Sequence, residues 1–356
     1  MQTKREFKLI QPDEVGSLLI KHHSTFMTVF YEFQSSWMSR IYKRYKNTET
    51  AYIVCYLAKN THLEIIRLKE YNLNHDISLN NFWVNFSNIS KPVEKITHIV
   101  KETAIPKETV RRKVKNLMNS GFIFYDTKNK GYSWNILPQN KDQYFDKDLY
   151  LKFISAEISS ISKFIFIFSE FFNLNLNKKL IEDEFLSQYS FYWYHFLSCQ
   201  LQWLKMWKKK FKDIDIILIA LQATIPFLQY MYNTENNKDR SLDNMLNSIE
   251  KTRLQDNLSL KGVSATSVSE VTGIPRATCI RKLEKLTLLG FLFREPKTKR
   301  FFLNQNKSDR TKNIITKDNI NFTVEIFSKF ITIILNSLIQ NQNLQNKQSF
   351  NFLKKA

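Results

Sequence analysis

Six glycines and seven prolines are few for a chain of 356 residues. Such scarce turn-formers and helix-breakers argue against a turn-rich all-β protein and fit a mainly helical one. The glycine-based devices of phosphate and acyl chemistry are missing: there is no P-loop, no GxGxxG and no GxSxG, and no CxxC pair. Three cysteines, Cys55, Cys199 and Cys279, are odd in number and far apart. They exclude a disulfide framework and read as reduced, buried small hydrophobes. The six histidines at 22, 23, 62, 75, 98 and 195 have no metal-ligand spacing, and adjacent His22 and His23 point to different helix faces. The acidic run "IEDEF" at 181–185 reads as a solvated helix start. With no recognisable catalytic centre, the chain is expected not to be an enzyme and to need no cofactor or metal.

Two further features are also lacking. The opening "MQTKREFKLIQPDEVGS" has no apolar core of the signal-peptide kind. The charge-free segment 216–232 is at the lower edge of membrane-spanning length and includes Gln222, Thr224, Pro226 and Gln229. It is expected to be a buried core helix, in a soluble cytoplasmic protein without a membrane partner.

What the chain has in excess is positive charge. Lys and Arg total 53 against 33 Asp and Glu, a formal net charge of +20. An imbalance of that size points to a polyanionic partner. The length allows two ordinary domains or one large helical one.

It also has a repeat. Residues 105–135, "IPKETVRRKVKNLMNSGFIFYDTKNKGYSWN", align without a gap with 274–304, "IPRATCIRKLEKLTLLGFLFREPKTKRFFLN", and twelve positions are identical. At a spacing of 166, Phe30, Trp37, Lys46 and Ile53 match Phe196, Trp203, Lys212 and Ile219, and "SKFI" at 162–165 matches "SKFI" at 328–331. Two diverged copies of one unit are therefore expected, at 1–145 and 146–310, followed by a C-terminal helix and disordered tail over 311–356. In each, a long aromatic-rich helix (14–46, about 183–211) ends in a basic run, and a second apolar helix follows (about 49–69, 214–232). A polar stretch, the repeated motif and another apolar helix (about 149–174, 318–341) complete the unit. The aromatics of 191–207 could line a ligand pocket, but occur at nearly every position around the helix and read as core.

Within the motif, Val110, Val114, Leu117 and Met118 form one apolar stripe, as do Cys279, Leu283 and Leu286. Pro106 and Pro275 open these helices, and Gly121 and Gly290 stand where they must stop. Short helices precede them and end at Ala104 or Gly273. Two short strands around a lysine-bearing turn follow. Helix, turn, helix and hairpin in this order resemble the winged helix-turn-helix of bacterial transcription regulators of the MarR, IclR and GntR kinds, at about 93–136 and 262–304. The resemblance implies that the helix after Pro106 or Pro275 enters the major groove of double-stranded DNA while the hairpin lies along the backbone. The first reading helix offers Lys107, Glu108, Thr109, Arg111, Arg112, Lys113 and Lys115, with Lys128 and Lys130 on its wing. The second offers Arg276, Thr278, Arg281 and Lys282, with Lys297, Lys299 and Arg300 on its wing. Arg suits a guanine edge and Lys a phosphate.

The expected fold is thus mainly α with small β-wings: two tandem winged helices braced by long helices, a pseudo-dimer in one chain. The expected function is a sequence-specific double-stranded DNA-binding transcriptional regulator of the bacterial nucleoid. It would act as a monomer, with a homodimer as the alternative; any effector ligand is unknown. A plasmid- or phage-type replication initiator and a protein-docking adaptor remain open readings.

Overall fold

The computed structural model describes residues 9–136, 147–233, 239–245, 262–304 and 317–353. The polar linker expected at 233–262 lies mostly outside them. The fold is mainly helical, with two small antiparallel hairpins. The first half contains α1 (Pro12–Lys21), α2 (His23–Tyr45), α3 (Thr48–Tyr71), α4 (Phe82–Asn88), α5 (Ile96–Thr103), α6 (Lys107–Asn119), β1 (Ile123–Asp126), β2 (Gly131–Trp134) and α7 (Lys147–Phe171). The second contains α8 (Lys178–Ser187), α9 (Tyr189–Phe211), α10 (Ile214–Asn233), α11 (Ala265–Thr272), α12 (Arg276–Leu288), β3 (Leu292–Arg294), β4 (Phe301–Leu303) and α13 (Lys317–Leu353).

Each long first helix is broken, contrary to expectation. His22 separates α1 from α2 at φ −117°, ψ 37°, and Gln188 separates α8 from α9 at φ −111°, ψ 38°. Neither Pro nor Gly causes the break. At the first, His22 packs against Phe171 with ring centroids 4.8 Å apart; at the second, Lys69 donates to the Gln188 Oε1 at 2.6 Å. Both breaks are thus held by residues distant in sequence. The last described helix, α13, runs to Leu353.

The halves interlock around one core. Helix α3 packs along α9, and α10 along α2; α1 packs on α13 as α8 packs on α7. Trp37 and Trp203 are both buried, as are Phe30 and Phe196. At the centre, buried Gln34 and Gln200 exchange hydrogen bonds: Gln34 Nε2 donates to Gln200 Oε1 at 2.6 Å, and Gln200 Nε2 to Gln34 Oε1 at 2.8 Å. The segment 216–232 is indeed a core helix, with Ile216 to Ile219 all buried. Only Lys317–Asn341 among the described residues is long and apolar enough to cross a membrane by length and composition, and 67% of its apolar window is buried inside the fold.

Candidate nucleic-acid interface

The two helix–turn–helix–hairpin units use matching local chemistry. In the turn, Ala104 (φ 54°) and Gly273 (φ 76°) adopt the left-handed conformation that ends a helix. The preceding threonine closes each turn: Thr103 Oγ1 donates to Ile99 O and accepts from Ile105 N, and Thr272 Oγ1 donates to Val268 O and accepts from Ile274 N.

The second helices end alike. Phe122 N donates to Leu117 O and Gly121 N to Met118 O, both at 2.9 Å; Phe291 N donates to Leu286 O and Gly290 N to Thr287 O, again at 2.9 Å. That paired arrangement is the Schellman motif, which needs a left-handed residue. Gly121 has φ 70° and Gly290 φ 75°. Asn135 and Asn304 then clamp the cap, each donating its side-chain amide to the glycine carbonyl, at 2.9 and 2.8 Å. Their identity in the two sequences has this physical cause.

The hairpins pair Ile123 with Trp134 and Leu292 with Leu303. Sequence reading missed a third element in each. Glu94 and Tyr132 exchange two backbone hydrogen bonds, at 2.9 and 2.8 Å, and Val263 and Phe301 exchange two at 2.9 Å. A single-residue bridge carries no periodicity, so no pattern could have announced it. At the hairpin tips, Lys130 (φ 53°) and Lys299 (φ 55°) turn the chain. Asp126 accepts from Asn129 N and Nδ2, and Glu295 accepts from Lys297 N and Thr298 N. The bonds from Asn129 hold the Asp126 carboxyl below its ordinary range, and the Thr298 side chain, followed by the Thr298 and Lys297 N–H groups, does the same for Glu295.

Most of the expected reading residues face solvent. Lys107, Glu108, Arg111, Arg112, Lys115, Lys128 and Lys130 are exposed, as are Arg276, Arg281, Lys297, Lys299 and Arg300; Thr109 and Thr278 are half-buried. Arg112 and Arg281 have no ion-pair partner among the described residues. Arg111 is paired with Glu108 at 2.6 Å, and Glu284 lies 3.9 Å from Arg294 on the adjoining hairpin. Arg276 donates to Thr266 Oγ1 at 3.1 Å and Arg300 to Gly262 O at 3.1 Å, so these two also stitch their unit together.

Lys113 and Lys282 do not belong to the exposed face. They are buried, 8% and 7% exposed, on the inner side of α6 and α12. Lys113 Nζ donates to Asn47 Oδ1 at 2.5 Å and lies 3.5 Å from Glu49. Lys282 Nζ bonds both carboxylate oxygens of Asp213, at 2.9 and 2.8 Å, and Asp215 at 3.0 Å. A flexible four-carbon stem lets a lysine flanking the apolar stripe turn inward to an acid. Burial pushes the Lys113 ammonium down, and Glu49 partly offsets this.

These anchors are joined. Thr48 Oγ1 donates to Asp215, and Lys208 bonds Glu49 at 2.5 Å. Lys282 and Thr48 thus meet at Asp215, and Lys113 and Lys208 meet at Glu49; Thr48 and Glu49 are consecutive residues, so the two sets form one polar cluster across the adjoining N-termini of α3 and α10. Both second helices are seated on this one network. Each first helix packs on the other half's long helix, α5 on α9 and α11 on α2. At Gly273 a side chain would meet the Lys43 stem at 2.9 Å. The chemistry available is electrostatic and hydrogen-bonding recognition; among the described residues no group of three or more His, Cys, Asp or Glu could hold a metal ion. No protein-family model, curated protein or solved structure matches this chain.

Proposed function

We propose that the protein is a sequence-specific double-stranded DNA-binding transcriptional regulator. In this reading each helix–turn–helix–hairpin unit is a winged helix, and two diverged copies act as a pseudo-dimer within one chain, without a second subunit. The observation that carries it is the pair of exposed basic faces, centred on Arg112 and Arg281, seated on one shared polar network. Two reading helices with a common anchor hold a fixed mutual orientation, as half-site recognition requires. The matching caps, the matching breaks at His22 and Gln188 and the exchanged amides of Gln34 and Gln200 support the pseudo-dimer.

Arg can bind a guanine edge with two hydrogen bonds, while wing lysines neutralise phosphate. The net charge of +20 adds long-range attraction. The test is titration of a labelled duplex at several salt concentrations. Contact with about six to ten phosphates lowers affinity by roughly 10³ to 10⁵ between 50 and 200 mM salt. A flat response would overturn the reading in favour of a protein-docking adaptor.

A further inference from the structure

The basic runs that end α2 and α9 stand between the two helix–turn–helix–hairpin units. Lys46 closes α2 and Lys212 closes α9, matching at the 166-residue spacing. Each is fixed from both sides. Before Lys46, the Tyr45 ring packs on Phe122 with centroids 5.2 Å apart; after it, Asn47 receives the Lys113 ammonium of α6. Before Lys212, Phe211 packs on Phe291 at 5.9 Å; after it, Asp213 receives the Lys282 ammonium of α12. The same helix ends also reach the opposite unit. Lys43 lays its stem against Gly273, in the turn between α11 and α12, and Lys205 lies 3.7 Å from Glu102 of α5.

Both closing lysines are left-handed, Lys46 at φ 54° and Lys212 at φ 61°, and their amides donate to Tyr42 O and Lys208 O. A left-handed residue at a helix end is usually Gly and sometimes Asn, because a longer side chain is strained there. A cation does suit a helix C-terminus, but the last turns already supply Lys43 and Arg44 in one helix and Lys208 to Lys210 in the other. The same residue therefore accepts the same strain twice, which points to a use for its side chain. That side chain meets no acid. In the adjoining cluster the ammoniums of Lys113, Lys208 and Lys282 already face the carboxylates of Glu49, Asp213 and Asp215, one for one. Lys46 and Lys212 are exposed, as are Lys43 and Lys209, a second matching pair. None of the four has an ion pair or a side-chain hydrogen bond among the described residues.

We infer that Lys46 and Lys212 bind the phosphate backbone of duplex DNA midway between the two half-sites, with Lys43 and Lys209 beside them. The inference rests on the proposed function, in which one duplex spans α6 and α12 and so crosses the ground between them. Lysine is a compact charge on a flexible stem, suited to phosphate more than to a base edge. Phosphate contacts fix register and orientation without carrying sequence information. The pattern of divergence agrees with that division. The exposed faces of α6 and α12 differ at Glu108/Ala277, Arg111/Ile280 and Lys115/Glu284, whereas Lys43/Lys209 and Lys46/Lys212 are identical. A backbone that is chemically the same in both halves needs the same contact from both copies.

The experiment titrates the full chain with a labelled duplex enriched from a random pool, at several salt concentrations. Lys46→Asn combined with Lys212→Asn removes both cations and leaves a residue that tolerates the left-handed backbone, so the melting midpoint should not fall. Each lost phosphate contact takes about one from the slope of log affinity against log salt. The fall in affinity between 50 and 200 mM salt should therefore shrink about tenfold for the Asn pair, on every duplex sequence alike. Lys46→Arg combined with Lys212→Arg keeps both charges and should keep the wild-type slope. Uncharged methylphosphonates at the centre of the duplex should weaken the wild type and leave the Asn pair unaffected; at the duplex ends they should affect both proteins equally. An Asn pair with the wild-type slope, an Arg pair that loses it, or central methylphosphonates that affect both proteins equally would overturn the assignment and leave the regulator reading standing. If the Asn pair fails to fold, the wild type decides alone, by losing more affinity to central than to terminal methylphosphonates. A wild type with no salt-dependent duplex binding would sink both.

Discussion

Gln34 and Gln200 stand 166 residues apart and satisfy each other's amides in the core, each giving one hydrogen bond and taking one. Such an exchange closes only when the two side chains meet about a local twofold relation. Removing one partner leaves a buried amide unmet, which costs about 1–3 kcal/mol, whereas replacing both with apolar groups can be nearly neutral. Gln34→Leu and Gln200→Leu should therefore each lower the urea midpoint, and the double variant should recover most of the loss. A double-mutant cycle measures the coupling. Additive losses would mean that the pair does not act as a unit.

The helix caps give a second test. Gly290 has φ 75° and sits at the turn of a Schellman motif. A β-branched residue there must adopt a left-handed backbone, costing at least about 1 kcal/mol. Gly290→Val should lower the melting midpoint by at least about 1–2 °C. An unchanged midpoint would mean that the cap contributes nothing to stability.

Adjacent residues on α12 should separate stability from recognition. Lys282 is buried against Asp213 and Asp215, while Arg281 is exposed. Lys282→Met leaves two carboxylates without their cation. Because Asp213 is partly solvated, the loss should be about 1–3 kcal/mol of stability. Arg281→Ala should change stability by less than about 0.5 kcal/mol. It should nevertheless weaken DNA binding by about 1–3 kcal/mol. Melts and duplex titrations of both variants check this; equal effects on both quantities would refute the division.

That division marks where the sequence stopped being legible. Periodicity, Pro106 and Pro275 at the starts and Gly121 and Gly290 at the ends located both second helices, because those signals are local. Whether Lys113 faces solvent or Glu49 is decided by an acid more than sixty residues away, and no spacing on α6 carries that information. The breaks at His22 and Gln188 were hidden for a similar reason: the apolar pattern runs on through them, and packing and side-chain contacts from elsewhere hold them. One signal was readable and passed over. Gln34 and Gln200 are identical at the same 166-residue spacing as Trp37 and Trp203, and a polar identity inside an apolar helix points to a buried partner.

Buried titratable groups predict the pH dependence. His23 and His62 have pKa values lowered from 6.5 to about 4 and about 3 by burial. The unfolded chain binds these protons first, so stability is full above about pH 6.5 and is lost as pH falls through the range below, by up to about 1.4 kcal/mol per unit per residue. Glu157 runs the other way. Burial raises it from 4.5 to about 7 despite the Arg40 partner, so its contribution is full below pH 4.5 and is lost as pH rises through 7. Urea midpoints across pH 4 to 8 should show His62→Leu flattening the acid limb and Glu157→Gln gaining relative stability toward the alkaline side. Identical pH profiles for wild type and both variants would refute the assignments.

The last prediction concerns the DNA site. A homodimer of identical subunits reads two matching half-sites, but copies within one chain are free to diverge, and these have diverged on the exposed faces. Where the first helix has Glu108, Arg111 and Lys115, the second has Ala277, Ile280 and Glu284. Ile280 is half-buried, and Glu284 is directed to Arg294 on its own wing, so neither replaces a cation of the first helix. Arg112 and Arg281 match and are both exposed, which gives the two halves one contact type in common. Duplexes selected from a random pool should therefore converge on an imperfect inverted repeat with half-site centres about 10 base pairs apart. One half should be the weaker. Arg112→Ala and Arg281→Ala should each relax the preference in a different half, at about 1–3 kcal/mol. Perfect palindromes among the selected sites, or a mutation that loosens both halves equally, would require two chains per site with one winged helix used from each.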